Sequence, residues 1–422
     1  MVLLQRLKNF VTAWCQKNVQ KVRVLEFEEW LATTSYNEAR KEELRKVHRN
    51  LKGGKPTRKQ CERVSSFVKS EGYDTYKHCR LINSRCDAFK VFSGPAFKAI
   101  EEQLYKHQAF VKHVPVPDRP ALIDSLVNAG RRYFITDFTA FESHFLPDIM
   151  EALEFPLYRQ ALGDWAPLPT LLATLRGVNK LRLRSGLRAS CEARRMSGEM
   201  NTSLANGFAN YMLATFIAHE EGGMLEGFVE GDDGVFATNF ELNATHYQRL
   251  GFTIKIQEVP HPGLGAFCGM IYAGSGQIIR NPVHFLANFP YTTSCIMGGP
   301  KVMLSLLRAK ALSALYETPH CPIVWAAARV ALQLTRGCLP RYVDDGYHLP
   351  IDEMRIPEES SPLADTRVIF HTLFGIPPAT QERIEQLILG RSFAAAAALM
   401  PRSADPQDGD MSHFALRYVE RL

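Results

Sequence analysis

An α+β fold is predicted, and three stretches of the chain predict it. Phe228 to Phe236 reads as two short apolar strands folded back over an acidic turn, Gly231-Asp232-Asp233-Gly234. Arg131 to Asp137 is a second β-run that ends in a carboxylate. From about Pro300 the pattern changes to helix, over Val302 to Leu315 and Ile323 to Leu334.

The acidic hairpin is the sharpest of the three. Its Asp-Gly step is a strong hairpin signal. Side chains alternate along a strand, so two adjacent carboxylates are hard to bury together. Water or a divalent metal keeps both ionised, whereas an apolar pocket does not. A solvated turn is the plain alternative, because Asp and Gly are ordinary turn residues.

Size and composition bound the rest. The 422 residues allow two or three folding units, or one large domain with subdomains. Hydrophobic content of 46% and charged content of 22% are those of an ordinary soluble globular protein. A net charge of +6 suits a polyanionic partner without establishing one. The 9 cysteines form no Cys-x-x-Cys pair and no Cys/His cluster with the spacing of a zinc site. Their odd number suggests a reducing compartment. Arg6 and Lys8 interrupt the apolar N-terminus, which argues against a secretory signal. No apolar run reaches the roughly 18 residues of a membrane span. The run from Ala394 to Ala398 is too short and reads as helix.

In chain order, Leu3, Leu7, Phe10, Val11 and Trp14 have the spacing of an amphipathic helix. Asn37 to Asn50 reads as a charged, solvated helix, broken at Gly53-Gly54-Lys55-Pro56. In Phe67-Val68-Lys69-Ser70-Glu71 and Lys77 to Arg85, cations alternate with apolar residues, and Arg80 and Arg85 bracket a β-prone Leu81-Ile82. The planar fork of arginine pairs with phosphate oxygens, so such a strand suits a triphosphate. A basic edge strand that discourages aggregation is the alternative. Phe97 to Tyr105 is expected as helix.

Tyr133, Ile135 and Asp137 share one face of the β-run, and Glu142 follows five residues later, past a turn. A carboxylate closing an apolar strand is a site candidate; capping the next helix is its other explanation. Arg194 to Thr202 opens an apolar helix on which Thr202, Asn206 and Asn210 recur every four residues, hence on one face. Solvent exposure explains such a stripe, and so does inward reading of a ribose. Ala244 to Gly251 reads as helix, and Phe252 to Ile256 and Ala266 to Tyr272 as strands. Thr380 is the expected cap of a late helix. Ser360-Ser361-Pro362 and Ser403 to Gly409 read as loops, and no internal repeat appears. If Asp137 and Asp232 came together in adjacent strands, they would hold two divalent cations and clamp an in-line phosphoryl transfer. Magnesium needs only a few carboxylates plus substrate phosphates.

Taken in order, these stretches resemble the motifs of viral RNA-dependent RNA polymerases, most like the tombusvirus-like and related positive-strand RNA viruses of insects and plants. Phe67 to Glu71 with Arg80 to Arg85 resembles the basic nucleotide-entrance motif, F. Asp137 to Phe145 resembles motif A. Ser197-Gly198-Glu199-Met200-Asn201-Thr202 with Asn206 resembles motif B, Gly231-Asp232-Asp233 motif C, and Phe267-Cys268-Gly269 motif E. Lys255 falls where motif D has its basic residue. The likeness spans about residues 60 to 290.

The resemblance implies a right-hand fold. Residues 1–130 would be an N-terminal extension and fingers, 131–150 palm, 151–195 a fingers insertion, 196–290 palm again, and 291–422 a helical thumb. It implies Asp137 and Asp232 as metal ligands, with Asp233 at the edge. Lys69, Lys77, Arg80 and Arg85 would face the triphosphate. Glu142, Ser197, Gly198, Thr202 and Asn206 would face ribose and template. Lys255 would protonate pyrophosphate, unless it is an ordinary surface lysine. Mg2+ is the implied cofactor, with Mn2+ as the alternative ion. The implied partners are template and nascent RNA, NTPs and other viral replicase proteins. The implied setting is a membrane-associated replication complex in the host cytoplasm, recruited by something other than a transmembrane segment. Two residues depart from the pattern: Glu142 stands where Asp is usual, and Cys79 where Pro is usual. A reverse transcriptase and a non-catalytic RNA-binding replication protein are the competing readings. Gly231 and the Thr202–Asn206 face speak against the first, and the intact Asp137, Asp232 and Asp233 against the second.

Overall fold

The computed structural model describes residues 2–51, 54–69, 78–128, 130–273, 276–292, 295, 298–341 and 360–401. The expected break at Gly53, the expected loop from Ser403 to Gly409, and Ser70, Glu71 and Lys77 lie outside these residues. The chain divides into two compact units. The first takes Met1–Val68, Leu81–Pro115 and Leu122–Cys268; the second takes Lys69–Arg80, Val116–Ala121 and Gly269–Leu422.

The first unit begins with helix α1 (Val2–Asn18), which buries Leu7, Val11 and Cys15 as its periodicity requires. A charged helix, Glu38–Asn50, follows; Asn37 caps it by accepting from the Arg40 amide. Strands β1 (Arg63–Val68) and β2 (Leu81–Arg85) pair antiparallel. The next helix, α2 (Asp87–Leu104), starts ten residues before the expected Phe97. Phe89, Phe92, Ala96 and Phe97 all enter the core, and that packing outweighs the weak helix propensity of Ser93-Gly94-Pro95.

Strand β3 (Arg132–Phe138) is the centre of the sheet that carries the site. Phe134 and Phe138 point into the main core, while Tyr133 and Ile135 are buried on the other face with Asp137 at its open end. Beyond it, Phe138 stacks on Phe141 at 4.0 Å, and Phe141 and Phe145 meet Phe252. Such ring pairs each add about 0.5–1.5 kcal/mol beyond their buried area. They pin the 3₁₀ turn Phe141–His144 that presents Glu142. Strands β4 (Val178–Leu183) and β5 (Arg188–Glu192) extend the first sheet in the order β2-β1-β4-β5.

Helix α3 (Thr202–Glu220) is buried almost throughout, and Phe208 and Phe216 receive Trp14 and Phe10 of α1. Then come β6 (Leu225–Glu230), β7 (Asp233–Thr238) and β8 (Ile254–Val259), and the second sheet reads β6-β7-β3-β8, antiparallel throughout. The hairpin turn is Gly231-Asp232 rather than the Asp-Gly step itself: Glu230 pairs with Asp233 and Gly231 sits at φ 61°. Glycine at the first central position with left-handed φ is the demand of a type II′ hairpin. Gly234 serves a different need. A Cβ there would lie 2.6 Å from Thr136 Oγ1, so only glycine lets β7 close on β3.

The expected strand from Ala266 to Tyr272 is interrupted. Cys268 and Gly269 take φ of 54° and 72°, between short strands Ala266–Phe267 and Met270–Ala273. The second unit is mainly helical, as expected from Pro300 onward. Its helices α4 (Gly299–Glu317), α5 (Val324–Leu334), α6 (Ala364–Phe374) and α7 (Pro378–Leu389) enclose Leu315, Ile323, Ala328, Phe370 and Ile384. Thr380 is not the cap of α7; Pro377 occupies that position and Thr380 lies in the first turn. Arg367 pairs with the buried Glu385 at 2.7 Å. Among the described residues no helix is long and apolar enough to cross a membrane. All nine cysteines are free.

Candidate active site

Strand register gathers the acids. Thr136 pairs with Gly234, so one step further Asp137 stands across from Asp233. Asp233 pairs with Glu230 on its other side, and Asp137 pairs with Lys255 on β8. Cross-strand partners share a face. Glu230, Asp233, Asp137 and Lys255 therefore form one row across four strands, three acids and a base, with Asp232 in the turn beside it. Asp137 and Lys255 are exposed, and the other acids half-buried.

Crowding shows in the electrostatics. The Asp233 carboxyl is pushed up to about 7, first by burial and then by the charges of Asp232, Asp137 and Glu230. A hydrogen bond with the Cys268 thiol opposes this, and the same sulfur lies 3.6 Å from Glu230 Oε2. Among the described residues no three acidic, histidine or cysteine side chains already converge as metal ligands. The set still fits a hard divalent cation: the carboxylates supply oxygen donors, and their surplus negative charge lifts one acid toward neutrality.

Helix α3 fixes the turn from below. The buried Asn210 donates its side-chain amide to the carbonyls of Asp232 and Asp233, each at 3.0 Å, and reaches that of Gly231 at 3.4 Å. One turn earlier, Asn206 Nδ2 donates to Glu142 Oε1 at 3.1 Å, joining helix to strand-end turn. The polar stripe thus faces inward, and its third member holds backbone. Thr202 Oγ1 donates to the Met196 carbonyl at 2.9 Å. Ser197 Oγ donates to the Leu81 carbonyl at 3.0 Å and accepts from the Asn83 amide at 3.1 Å; the Gly198 amide donates to the Asn83 carbonyl at 2.9 Å. Ser197 and Gly198 therefore strap the loop before α3 to β2.

The basic residues separate. Arg85 is buried rather than exposed like Lys69 and Arg80. Its side chain is 2% exposed and bonds to Glu199, itself 1% exposed. Lys69 and Arg80 are exposed residues of the second unit, joined by a 2.8 Å bond from the Lys69 amide to the Arg80 carbonyl. Lys77 lies outside the described residues. Sequence reasoning missed Arg195, Glu154, Asn201 and Glu199, which form buried networks behind Asn206 and Arg85, and Glu230, which completes the acidic row. The only signal for Arg195 was its position two residues before Ser197.

No protein-family model matches the chain. The solved RNA-dependent RNA polymerase of a human picobirnavirus, crystallised as an insertion-loop deletion mutant, aligns with a TM-score of 0.60. The alignment covers 79% of this chain and 73% of that one, at 14% identity. The fold is therefore that of the viral RNA-dependent RNA polymerases, α+β with the acidic hairpin in its central sheet. At the level of sequence, the chain is similar to the RNA-directed RNA polymerase of striped jack nervous necrosis virus, 27% identical over 226 residues. It is also similar to that of greasy grouper nervous necrosis virus, 26% identical over 225 residues. Each match covers 50% of this chain and 22% of the relative, so the shared stretch spans about a fifth of those proteins.

Proposed function

We propose that this chain is an RNA-dependent RNA polymerase that copies a viral RNA by transferring nucleotidyl groups from NTPs to an RNA 3′-hydroxyl. The observation that carries the reading is the row Glu230–Asp233–Asp137–Lys255 with Asp232 at its side. In this reading Asp137 and Asp232 hold Mg2+, or Mn2+ in its place, and Asp233 assists at the edge. Bound there, the ions would activate the attacking hydroxyl and neutralise charge on the phosphates. The chain's own groups do the rest. Glu142 and Asn206 read the ribose 2′-hydroxyl, and Ser197, Gly198 and Thr202 shape the loop that receives the template. Lys69, Lys77 and Arg80 attract the triphosphate, while Arg85, paired with Glu199, ties β2 to the loop before α3. Lys255 gives a proton to the departing pyrophosphate. Positioning and charge stabilisation supply most of the rate.

The reading extends to organisation and setting. Fingers, palm and thumb fall at 1–130 with 151–195, at 131–150 with 196–290, and at 291–422. The motif series favours a tombusvirus-like subtype, although the similar proteins named above come from nervous necrosis viruses and a picobirnavirus. RNA template and product, other replicase proteins and a membrane-associated replication complex in the host cytoplasm complete it. The test is incorporation of labelled NTPs on a short RNA with Mg2+ and no primer, beside Asp232→Asn. Template-dependent product that disappears in Asp232→Asn is expected. Equal product from both proteins would overturn the metal-ligand assignment, and preferential use of dNTPs would point to reverse transcription.

A further inference from the structure

The Glu142–Asn206 contact is backed by a buried network that the polymerase reading does not use. Arg195 and Glu154 are each 1% exposed at the side chain and meet at 2.6 Å, Nη2 to Oε2. The other arginine nitrogen, Nη1, donates to Asn206 Oδ1. The guanidinium lies over the Phe145 ring, 3.5 Å from its centroid. Glu154 also accepts from Tyr158 Oη at 2.6 Å and from Asn201 Nδ2 at 3.0 Å.

Two features mark this pair as more than packing. Glu154 ends a π-helical turn, Met150–Glu154, of the kind that recurs at functional sites because the extra residue re-aims side chains. A buried ion pair also brings little stability over well-packed apolar residues of the same volume, so its worth lies in what it positions.

Arginine only donates hydrogen bonds. The face of the Asn206 amide that meets Arg195 must then be its oxygen. The NH2 is left pointing at Glu142, where the structure has it at 3.1 Å. We infer that the Glu154–Arg195 pair is a specificity device. It sets which way the Asn206 amide faces, and through that bond it holds Glu142 where an incoming ribose 2′-hydroxyl is read. The inference rests on the polymerase reading above. Arg195 and Glu154 act through Asn206 and are positioning residues.

The test uses the whole chain and compares use of a 2′-deoxynucleotide with that of the matching ribonucleotide. E154Q/R195M removes both charges together and keeps an acceptor for Tyr158 and Asn201. Asn206→Asp keeps a partner for Arg195 but has no donor for Glu142. Both should raise relative dNTP use by about tenfold, the value of one hydrogen bond to a charged group. Arg195→Lys, which restores one donor without the fork, should fall between them and wild type. A wild-type ratio in E154Q/R195M beside a raised one in Asn206→Asp overturns the inference. Should E154Q/R195M not fold, a wild-type ratio in Arg195→Lys does so. A wild-type chain that incorporates no nucleotide overturns the polymerase reading instead. The crystal structure of whichever variant folds then decides: Asn206 Nδ2 still bonded to Glu142 overturns the inference, and a turned amide supports it.

Discussion

Asn210 on α3 donates to the carbonyl of Asp232 at 3.0 Å, so the acidic turn is held by a helix rather than by its own hairpin alone. The same amide serves Asp233 at 3.0 Å. Asn210→Ala removes the donor that these half-buried carbonyls share, at a cost of about 1 kcal/mol. Asn210→Asp is worse, because it turns a lone pair on the same oxygens. Thermal melts should rank wild type above Asn210→Ala and Asn210→Asp lowest, with nucleotide incorporation falling in the same order. An Asn210→Asp protein as active as wild type would show that the turn does not depend on this clamp.

Asp233 gives a pH signature whose sign can be worked out. Its folded-state value, about 7, lies above the ordinary 3.8. Between those values the folded state holds a proton that the unfolded chain has lost. Stability of the ion-free protein therefore falls as pH rises through that window and levels off above it. Asp233→Asn has no such proton to lose. Its Tm advantage over wild type should be near zero at pH 4 and largest by pH 8. The Tm gain of wild type on adding Mg2+ should follow the same curve, because a proton competes with the ion for the carboxylate. Melts across pH, with and without Mg2+, check both; a pH-independent Mg2+ gain would separate Asp233 from the ion site.

Arg85 and Arg80 should part company in mutants. Glu199 is raised by burial, with Arg85 opposing, and the two close a buried ion pair. Breaking such a pair costs about 3–5 kcal/mol. Glu199→Ala should therefore lower Tm sharply, and Arg85→Leu/Glu199→Leu should recover much of it. Arg80 is exposed, so Arg80→Gln should leave Tm alone and raise the KM for NTP. If Arg80→Gln leaves KM unchanged, Arg80 is only a basic edge residue.

How much of this was legible depends on the range of each interaction. Strands at Arg132–Phe138 and on both sides of Gly231 show in the sequence, because period-two burial and a glycine turn are local. Thr202, Asn206 and Asn210 share a helix face, so their stripe shows too, although its inward direction comes only from the contacts of Asn206 and Asn210. The row from Glu230 to Lys255 depends on the register of three separate pairings, which no single stretch encodes. Arg85 has the pattern of an exposed cation. Its ion-pair partner Glu199, 114 residues away, together with the Cys61 carbonyl and the Phe89 ring, makes it a buried one. Glu154 is hidden for two reasons: its partner lies 41 residues on, and the π-helical turn shifts the phase on which a helical reading relies.

Lys255 tests the chemistry most directly. It is paired in register with Asp137 on the exposed end of the sheet. An exposed side chain with no ion pair among the described residues contributes little to stability, so Lys255→Gln should melt within about 0.5 kcal/mol of wild type. A positioned general acid, by contrast, contributes about 10²–10⁴-fold to rate. Lys255→Gln should accordingly lower kcat by at least the smaller of those factors, with KM little changed. Lys255→Arg keeps the charge but releases a proton far less readily, because the guanidinium stays protonated. If Lys255 acts as an acid, Lys255→Arg should be nearly as slow as Lys255→Gln. If it acts only as a positive charge beside Asp137, Lys255→Arg should be nearly as fast as wild type. Single-turnover incorporation with the three proteins separates these outcomes.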